Sequence, residues 1–299
     1  MKNPPPSGAS TAYTVKSLVK ALNILEVLAE EEPPYTLTQL SRRLHLHVST
    51  VHRLLVNLVR HGFVEEAPLS GGYQLSYRVL RMGLRVLDRL DFRRAAYPLL
   101  RDLNQRTKET VHLAILEGAH AITIEKFGSL QPVGLDARLG TVTPLHATGV
   151  GKTLLAHQSE EFAAQIAQSP GLPRLTSHTI TSLASLRKEL ERIREQGYAF
   201  DHEETAEGLC CTAGPIFNHE GQVVAAFSVA GPSSRLTPAR LAELSQLVRE
   251  TSREISYRLG YRREPEPSRG ALSRGSSPSR EGASARTAAT GSRGRAADS

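Results

Sequence analysis

One short stretch of the chain, residues 36–62, restricts the possible folds more than any other. It contains four Arg, four His and no acidic residue, directly after the acidic run Glu30-Glu31-Glu32. Its leucines predict a short helix that Thr36 and Gln39 open as a capping box, with the apolar positions Leu37, Leu40 and Leu44. A turn of three to four residues follows around 45–48. Two helices joined by such a turn predict a helix-turn-helix.

The second of these helices carries an apolar face and a polar face. The apolar face consists of Val51, Leu54, Leu55, Leu58 and Val59, and Gly62 is expected to end the helix. The next segment, FVEEAPLSGGYQLS, indicates a strand, a Pro/Gly turn and a second strand, which together form a wing. The unit is therefore predicted to be a winged helix that binds DNA. The alternative is a three-helix bundle whose basic face is only solvated.

The polar residues of this unit suggest distinct roles at DNA. Ser49 and Thr50 begin the helix, where free backbone N–H groups can also meet a phosphate. His52, Arg53 and Asn57 can reach base edges or backbone, since Arg pairs with guanine and Asn with adenine. Arg42 and Arg43 on the preceding helix are expected to hold phosphates.

Helical spacing also marks the segments on either side of the winged helix. Leu18, Leu22, Leu25 and Ala29 predict a first helix over about residues 15–31, which Pro33 and Pro34 stop. After the wing, apolar residues from Leu80 to Leu103 predict a linker helix with a break at Pro98. The apolar stripe of this linker is interpreted either as core packing or as a dimer contact.

The remaining two thirds of the chain alternate between strands and helices. TVHLAIL and AITIEKF are predicted to pair around Glu117-Gly118, and CCTAGPIF and VVAAFSVAG to pair around NHEGQ. Helices are expected at about 149–157, 160–168 and 182–196, and a last helix opens with Thr237 as cap and Pro238. The pattern predicts an antiparallel sheet with helices, without a repeated βαβ array. The fold class is therefore α+β.

Composition limits the other possibilities. The chain of 299 residues has a net charge of +7, of which residues 262–299 carry +4. That tail has almost no large apolar residues and is predicted to be disordered, with a weak contact to DNA phosphates as an alternative role. No apolar run approaches 18 residues, the first residues MKNPPPSGAS lack the apolar middle of a secretion signal, and the only cysteines are Cys210 and Cys211. A cytoplasmic protein without a membrane partner is expected.

The segment LHATGVGKTLL ends like a nucleotide-binding phosphate loop, with Gly151-Lys152-Thr153. The loop also requires a glycine five residues before Gly151, where this chain has His146. Pro144 precedes it, and VVAAF is followed by Ser228 instead of an aspartate that could hold magnesium. The nucleotide interpretation therefore fails. The segment could still cradle a small carboxylate, or its glycines could serve only tight helix-to-sheet packing.

Three segments together resemble the IclR-type bacterial transcriptional regulators. They are LTQLSRRLHLHVSTVHRLLVNLVRHGFVE, PLHATGVGKTLLA and GYAFDHEETAEGLCCTAGPIFNHEGQVVAAFSVAGP, in the order and spacing of that family over about residues 13–260. The resemblance implies a winged helix, a linker helix and a GAF-like effector domain that form dimers or tetramers on operator DNA. The expected organisation is a disordered N-terminus (1–12), a winged helix-turn-helix (13–77), a linker helix region (78–106), an effector-binding domain (107–261) and the basic tail (262–299).

The resemblance also implies a pocket for a small organic acid, keto, hydroxy or aromatic. By position its residues would be Leu135, Gly149, Val150, Asp201, Leu209, Cys211, Ser228 and Ala230. Ala230 stands where a second serine is common in the family, so the pocket is expected to be less polar and to favour a bulkier or aromatic acid. Asp201 would repel a carboxylate unless it faces a hydroxyl or takes a proton. Of Cys210 and Cys211, only one can face the pocket, and a small buried apolar role is the alternative for either.

No arrangement of residues predicts an enzyme. His146, Asp201 and Cys211 could form a nucleophilic set in principle, but their spacing neither supports nor excludes it. His45, His47 and His52 lack a nearby cysteine that would favour a zinc site. The prediction is a ligand-responsive DNA-binding regulator without a cofactor or metal. The alternative is a GAF-like small-molecule module with enzymatic or nucleotide-binding activity at residues 149–153.

Overall fold

A computed structural model describes residues 14–29, 34–67, 71–132, 134 and 138–262. The predicted disorder of residues 1–12 and of the tail beyond Arg262 lies outside the described residues, as does Leu135. Within the described ranges, no helix is both long enough and apolar enough to span a bilayer.

The N-terminal part has the predicted winged helix-turn-helix architecture. Its elements are α1 (Lys16–Ala29), α2 (Leu37–Leu44), α3 (Val48–Arg60), β1 (Val64–Glu66) and β2 (Tyr73–Leu75). The capping box at Thr36 and Gln39 is present, and the strands pair antiparallel as a wing. A small core holds the unit together through Ile24, Leu28, Leu40, Val51 and Leu55.

The linker consists of two helices, α4 (Tyr77–Asp88) and α5 (Asp91–Thr107). The predicted break at Pro98 is wrong, because Pro98 lies inside α5. A proline in a helix interior costs about 3 kcal/mol, but Ala96, Leu100 and Leu103 around it are fully buried against the sheet. Packing therefore keeps α5 continuous. The chain instead breaks at Leu90, whose φ of −88° and ψ of 86° are not helical.

The C-terminal part contains a six-stranded antiparallel sheet with the order β5-β4-β3-β8-β7-β6. The strands are β3 (Thr110–Glu117), β4 (His120–Phe127), β5 (Val142–Pro144), β6 (Ala199–His202), β7 (Leu209–Phe217) and β8 (Val223–Pro232). The helices are α6 (Gly149–Ala156), α7 (Glu160–Gln168), α8 (Leu183–Gln196) and α9 (Pro238–Arg258). The short edge strands β5 and β6 were not predicted, since neither is long enough to show clear alternation.

The sheet is covered by different helices on its two faces. One face packs against α5 and α9 through Leu103, Leu113, Phe227 and Leu244. The other face packs against α6, α7 and α8 through Ala114, Ala213, Ala226 and Leu154. Successive strand residues point to opposite faces, so each strand contributes alternate residues to the two cores.

His157, just after α6, is a half-buried histidine that contacts the end of β7. Its ring meets Phe217 edge-on, with ring centroids 5.1 Å apart. Within the described part of the chain its Nε2 has no hydrogen-bond partner. Burial, followed by the charge of Arg194, lowers the pKa of His157 to about 4. The folded protein therefore keeps this imidazole neutral.

We expect the stability of this domain to fall as the pH drops below about 6.5. An unfolded histidine has a pKa near 6.5 and His157 has one of about 4 in the fold, so the unfolded chain takes up the proton first. The contribution of the neutral His157 to the free energy of unfolding is complete above pH 6.5 and is lost as the pH falls towards 4. Urea unfolding at pH 7.5 and at pH 5 measures the free energy of unfolding. Between these two pH values, His157→Phe should lose less of it than the wild type. An unchanged pH dependence would contradict this assignment.

Candidate DNA-binding surface and effector pocket

The predicted DNA-binding residues lie on the exposed sides of α2 and α3. Arg42, Arg43, Ser49, His52, Arg53 and Asn57 are exposed, and Thr50 is half-buried. Arg60, also exposed, extends the same face of α3 although it was not among the predicted contacts. This surface is basic because its side chains include four arginines and no acid.

Local contacts refine the predicted roles of three of these residues. The Thr50 N–H already donates to the His47 carbonyl (2.9 Å), so the expectation that it is free for a phosphate is wrong. Asn57 Nδ2 donates to the Arg53 carbonyl (2.8 Å), and reading a base requires this bond to be exchanged. Arg43 Nη1 donates to the Tyr35 hydroxyl (3.0 Å) with its guanidinium over the ring, which orients it.

Five of the predicted effector residues share one face of the sheet, the face below α6. The strand register sets Asp201, Cys211 and Ala230 side by side across β6, β7 and β8. In the next row, Ser228 lies beside Ala213 of β7. Leu209 is two residues from Cys211 and so shares its face. Cys211 thus faces α6, whereas Cys210 packs in the opposite core.

The glycines of the Gly-x-Gly-Lys-Thr segment let α6 lie directly on this face. A Cβ at Gly149 would be 2.5 Å from Cys211 Sγ, and one at Gly151 would be 2.6 Å from the Pro144 carbonyl oxygen. Thr148 caps the helix by accepting from the Gly151 N–H (3.0 Å). Val150, 2% exposed, packs in the core between α6 and the sheet. Tight packing against β7 therefore accounts for Gly149, and tight packing against the chain that leads into α6 accounts for Gly151.

The Asp201 carboxylate is satisfied within the chain. Its Oδ1 accepts from the Glu204 N–H (2.7 Å) and its Oδ2 from the Thr205 hydroxyl (2.8 Å). Burial raises the pKa of Asp201 above its usual value, and these two bonds oppose the rise. Asp201 thus faces a hydroxyl of the protein itself.

The surroundings of Lys152 show why the Gly-Lys-Thr segment does not act as a phosphate loop. It is 1% exposed, and its ammonium pairs with the Glu204 carboxylate and lies 3.5 Å from Glu189 Oε1. Glu189 in turn binds Arg192 through two hydrogen bonds of 3.0 and 2.9 Å. An ammonium buried in this way cannot reach a nucleotide phosphate, so Gly151-Lys152-Thr153 has a structural role.

The suggested nucleophilic set is not assembled. His146 Nε2 lies 3.0 Å from the Pro173 carbonyl, and no hydrogen bond joins His146, Asp201 or Cys211 to one another. Burial raises the pKa of the Cys211 thiol well above its usual value, which keeps it protonated and unreactive. Among the residues that the structure describes, no three His, Cys, Asp or Glu side chains form a metal-binding group.

Three residues of this sheet face were missed by sequence reasoning. Thr110 lies beside Ala230, and His112 lies between Ser228 and Lys126. The ring nitrogens of His112 are 3.3 and 3.2 Å from Ser228 Oγ. Burial, followed by the charge of Lys126, lowers the pKa of His112 to about 4. The alternation of TVHLAIL could have placed Thr110 and His112 on one face, but not next to Ser228.

Comparison with known proteins relates both parts of the chain to one family. The IclR helix-turn-helix domain matches residues 17–68, and the bacterial transcriptional regulator IclR C-terminal domain matches residues 84–257. The regulator KdgR of Escherichia coli is 36% identical over 248 residues, which cover 83% of this chain and 94% of KdgR.

Solved structures agree with this relation. The IclR protein of Thermotoga maritima is 33% identical, with a TM-score of 0.68 over 83% of this chain and all of that one. An IclR homologue of Microbacterium hydrocarbonoxydans, complexed with 4-hydroxybenzoate, is 29% identical, with a TM-score of 0.73 over 81% of this chain and 98% of its own.

We expect Lys152→Met to lower the free energy of unfolding of the effector domain. Removing one partner of a buried ion pair leaves the other charge uncompensated, at a cost of about 3–5 kcal/mol. The double variant Lys152→Met/Glu204→Gln should recover much of the loss, because no buried charge is then stranded at residue 204. Urea unfolding measures both free energies. Equal stability of the single variant and the wild type would contradict the structural role of Lys152.

Proposed function

The chain belongs to the IclR family of bacterial transcriptional regulators, and we propose that it binds operator DNA in a manner controlled by a small organic acid. Its relatives are named as transcriptional regulators, so the chain is a regulator with a helix-turn-helix domain and an effector domain, and not an enzyme. Operator DNA as a partner would give it a cytoplasmic site of action.

The observation that carries the DNA proposal is the exposed face of α3. Arg53, Asn57 and Arg60 project from it, and residues 36–62 contain no acid that would repel phosphates. Phosphate contacts supply affinity and base contacts supply specificity. We assign base reading to Arg53 and Asn57, with His52 beside them. We assign phosphate contacts to Arg42, Arg43 and the hydroxyls of Ser49 and Thr50.

A second copy of the chain is the proposed partner of α1 and α4. Helix α4 buries none of its residues, and Leu80 and Leu84 on it are 55% and 49% exposed. Helix α1 and the residue before it expose an apolar stripe at helical spacing, formed by Val15, Leu18, Val19 and Leu22. Contiguous exposed apolar residues are typical of interaction surfaces. A dimer would bring two α3 helices to a palindromic operator.

The proposed effector is a keto, hydroxy or aromatic acid bound at the sheet, beside the first turn of α6. The pocket would be formed by Gly149, Val150, Asp201, Leu209, Cys211, Ser228 and Ala230, with Leu135 as an outer wall. Ala230 is 1% exposed and adds a methyl group where a hydroxyl would favour the smallest acids. The 4-hydroxybenzoate in the Microbacterium homologue supports an aromatic acid.

We further propose that the linker helices couple the pocket to DNA. Arg93 of α5 forms an ion pair with Glu125 of β4 (2.7 Å). The next residue of β4, Lys126, points to the opposite face, towards α6. An effector bound there acts on the same strand that holds α5, which gives a physical route for a coupling free energy.

We expect Arg53→Ala to weaken binding to an operator selected from random-sequence DNA. The loss of a bidentate contact to guanine costs about 1–3 kcal/mol, and the loss of a phosphate contact lowers the salt slope by about one per subunit. Fluorescence anisotropy at several salt concentrations measures both. Lys188→Ala, which removes an equal charge from the exposed surface of α8, is the control. Unchanged binding of Arg53→Ala would refute the assignment of α3.

We expect Leu84→Glu to convert the dimer to a monomer, because it buries a charge in the proposed contact between copies. Sedimentation velocity measures the change. Leu175→Glu is the matched control, since Leu175 is 46% exposed in a loop of the effector domain. An equally dimeric Leu84→Glu variant would exclude α4 from the interface.

We expect a small acid to raise the melting temperature of the effector domain. ATP and GTP, each with magnesium, should leave it unchanged. A ligand at 100 times its Kd adds about 2.7 kcal/mol, which corresponds to several degrees. In Ala230→Ser, an added hydroxyl should move the order of preference from aromatic acids towards smaller, more polar ones. A shift produced by a nucleotide, or an unchanged order in Ala230→Ser, would contradict this view of the pocket.

A further inference from the structure

The face of the sheet below α6 has charged residues at its two ends. Along one row, Asp201 of β6 lies beside Cys211 of β7, which lies beside Ala230 of β8. In the neighbouring row, Ser228 of β8 pairs with His112 of β3, and His112 pairs with Lys126 of β4. Neighbouring strands are about 4.8 Å apart, so Asp201 and Lys126 are separated by about 19 Å across four strand spacings. A small acid cannot contact both.

The Asp201 end is unsuited to an incoming carboxylate. Asp201 is a carboxylate itself, and the Glu204 N–H and the Thr205 hydroxyl already occupy its two oxygens. Nearby, Glu204 adds a second carboxylate, which Lys152 pairs. A negative ligand would be repelled by these carboxylates. It would also find the Glu204 N–H and the Thr205 hydroxyl already bonded to Asp201.

The Lys126 end offers a donor and positive charge. His112 is half-buried, although β3 is flanked by strands on both sides. Its two ring nitrogens are nearly equidistant from Ser228 Oγ, at 3.3 and 3.2 Å. A neutral imidazole has one N–H and one acceptor nitrogen, and the serine hydroxyl can donate to the acceptor. The N–H is then left for another acceptor.

The protonation state of His112 fits this role. Burial and the neighbouring charge of Lys126 lower its pKa to about 4, so the ring is neutral near pH 7. A neutral ring can share the row with Lys126 without repulsion, while the ammonium of Lys126 favours a negative ligand beside it. Hydrogen bonds to charged groups are worth more than those between neutral groups.

We propose that His112 reads the carboxylate of the effector, donating its ring N–H to a carboxylate oxygen that lies over β3 and β4 beside Lys126. Ser228 positions the ring, and the remainder of the effector extends towards Gly149 and Cys211. The inference rests on the proposed function and deepens it, because it fixes the orientation of the acid and makes a carboxylate the group on which recognition depends.

The test compares acids with their neutral amides. Benzoate, 4-hydroxybenzoate and pyruvate are titrated calorimetrically against the full-length wild type, His112→Phe and His112→Asn, together with the matching carboxamides. In His112→Phe we expect the acids that bind to lose about 10- to 100-fold in affinity, as for a hydrogen bond to a charged group, and the amides to change less than threefold. The Asn variant keeps an N–H donor and should recover part of the loss. His219→Phe, at an exposed histidine, is the control.

The possible outcomes separate this inference from the function on which it rests. If His112→Phe binds the acids as the wild type does, or loses acids and amides equally, His112 does not read the carboxylate. The organic-acid effector stands in either case. If no acid binds the wild type, the effector class is wrong and the inference falls with it, while operator binding by Arg53 is unaffected. If His112→Phe does not fold, the ratio of acid to amide affinity in His112→Asn decides.

Discussion

The close contact between α6 and β7 is the constraint on which the effector domain depends. Gly149 has no room for a Cβ, because Cys211 Sγ would lie 2.5 Å from it. This contact brings the first turn of α6 over the face that carries Asp201, Cys211 and Ser228, and it buries all eight residues of the helix. Lys152 is thereby enclosed with Glu204 and Glu189 as its counter-charges. A segment that looks suited to phosphate binding is thus committed to holding a helix on a sheet.

The elements were largely predictable from the sequence because their signals are local. Helical spacing, the capping box at Thr36 and the Thr237-Pro238 start of α9 each depend on residues a few positions apart, and each agrees with the structure. The linker was mispredicted at Pro98, because burial of Leu100 and Leu103 against the sheet outweighs a local helix breaker. That packing depends on strands that are distant in sequence.

The residues proposed for the effector pocket were predictable only in part, for a related reason. Resemblance supplied Asp201, Cys211, Ser228 and Ala230, and the strand register brings these onto one face. His112 could not be added from its own segment, since its neighbour Ser228 is 116 residues away. Whether Asp201 faces a ligand or the protein was also open in the sequence. The answer depends on Thr205, whose hydroxyl is brought to the carboxylate by the turn after β6.

The strands of the effector domain serve two cores, with adjacent residues on opposite faces. On β8, Ser228 and Ala230 face α6, whereas Phe227 and Val229 pack with α5 and α9. On the proposed function, substitutions at the α6 face can therefore change which molecule is recognised while the contacts to the linker side stay as they are. In evolutionary terms, ligand preference and the response machinery can diverge separately. A scaffold of this kind can thus come to respond to a new ligand through a few substitutions, without a change in the packing that joins its sheet to the linker.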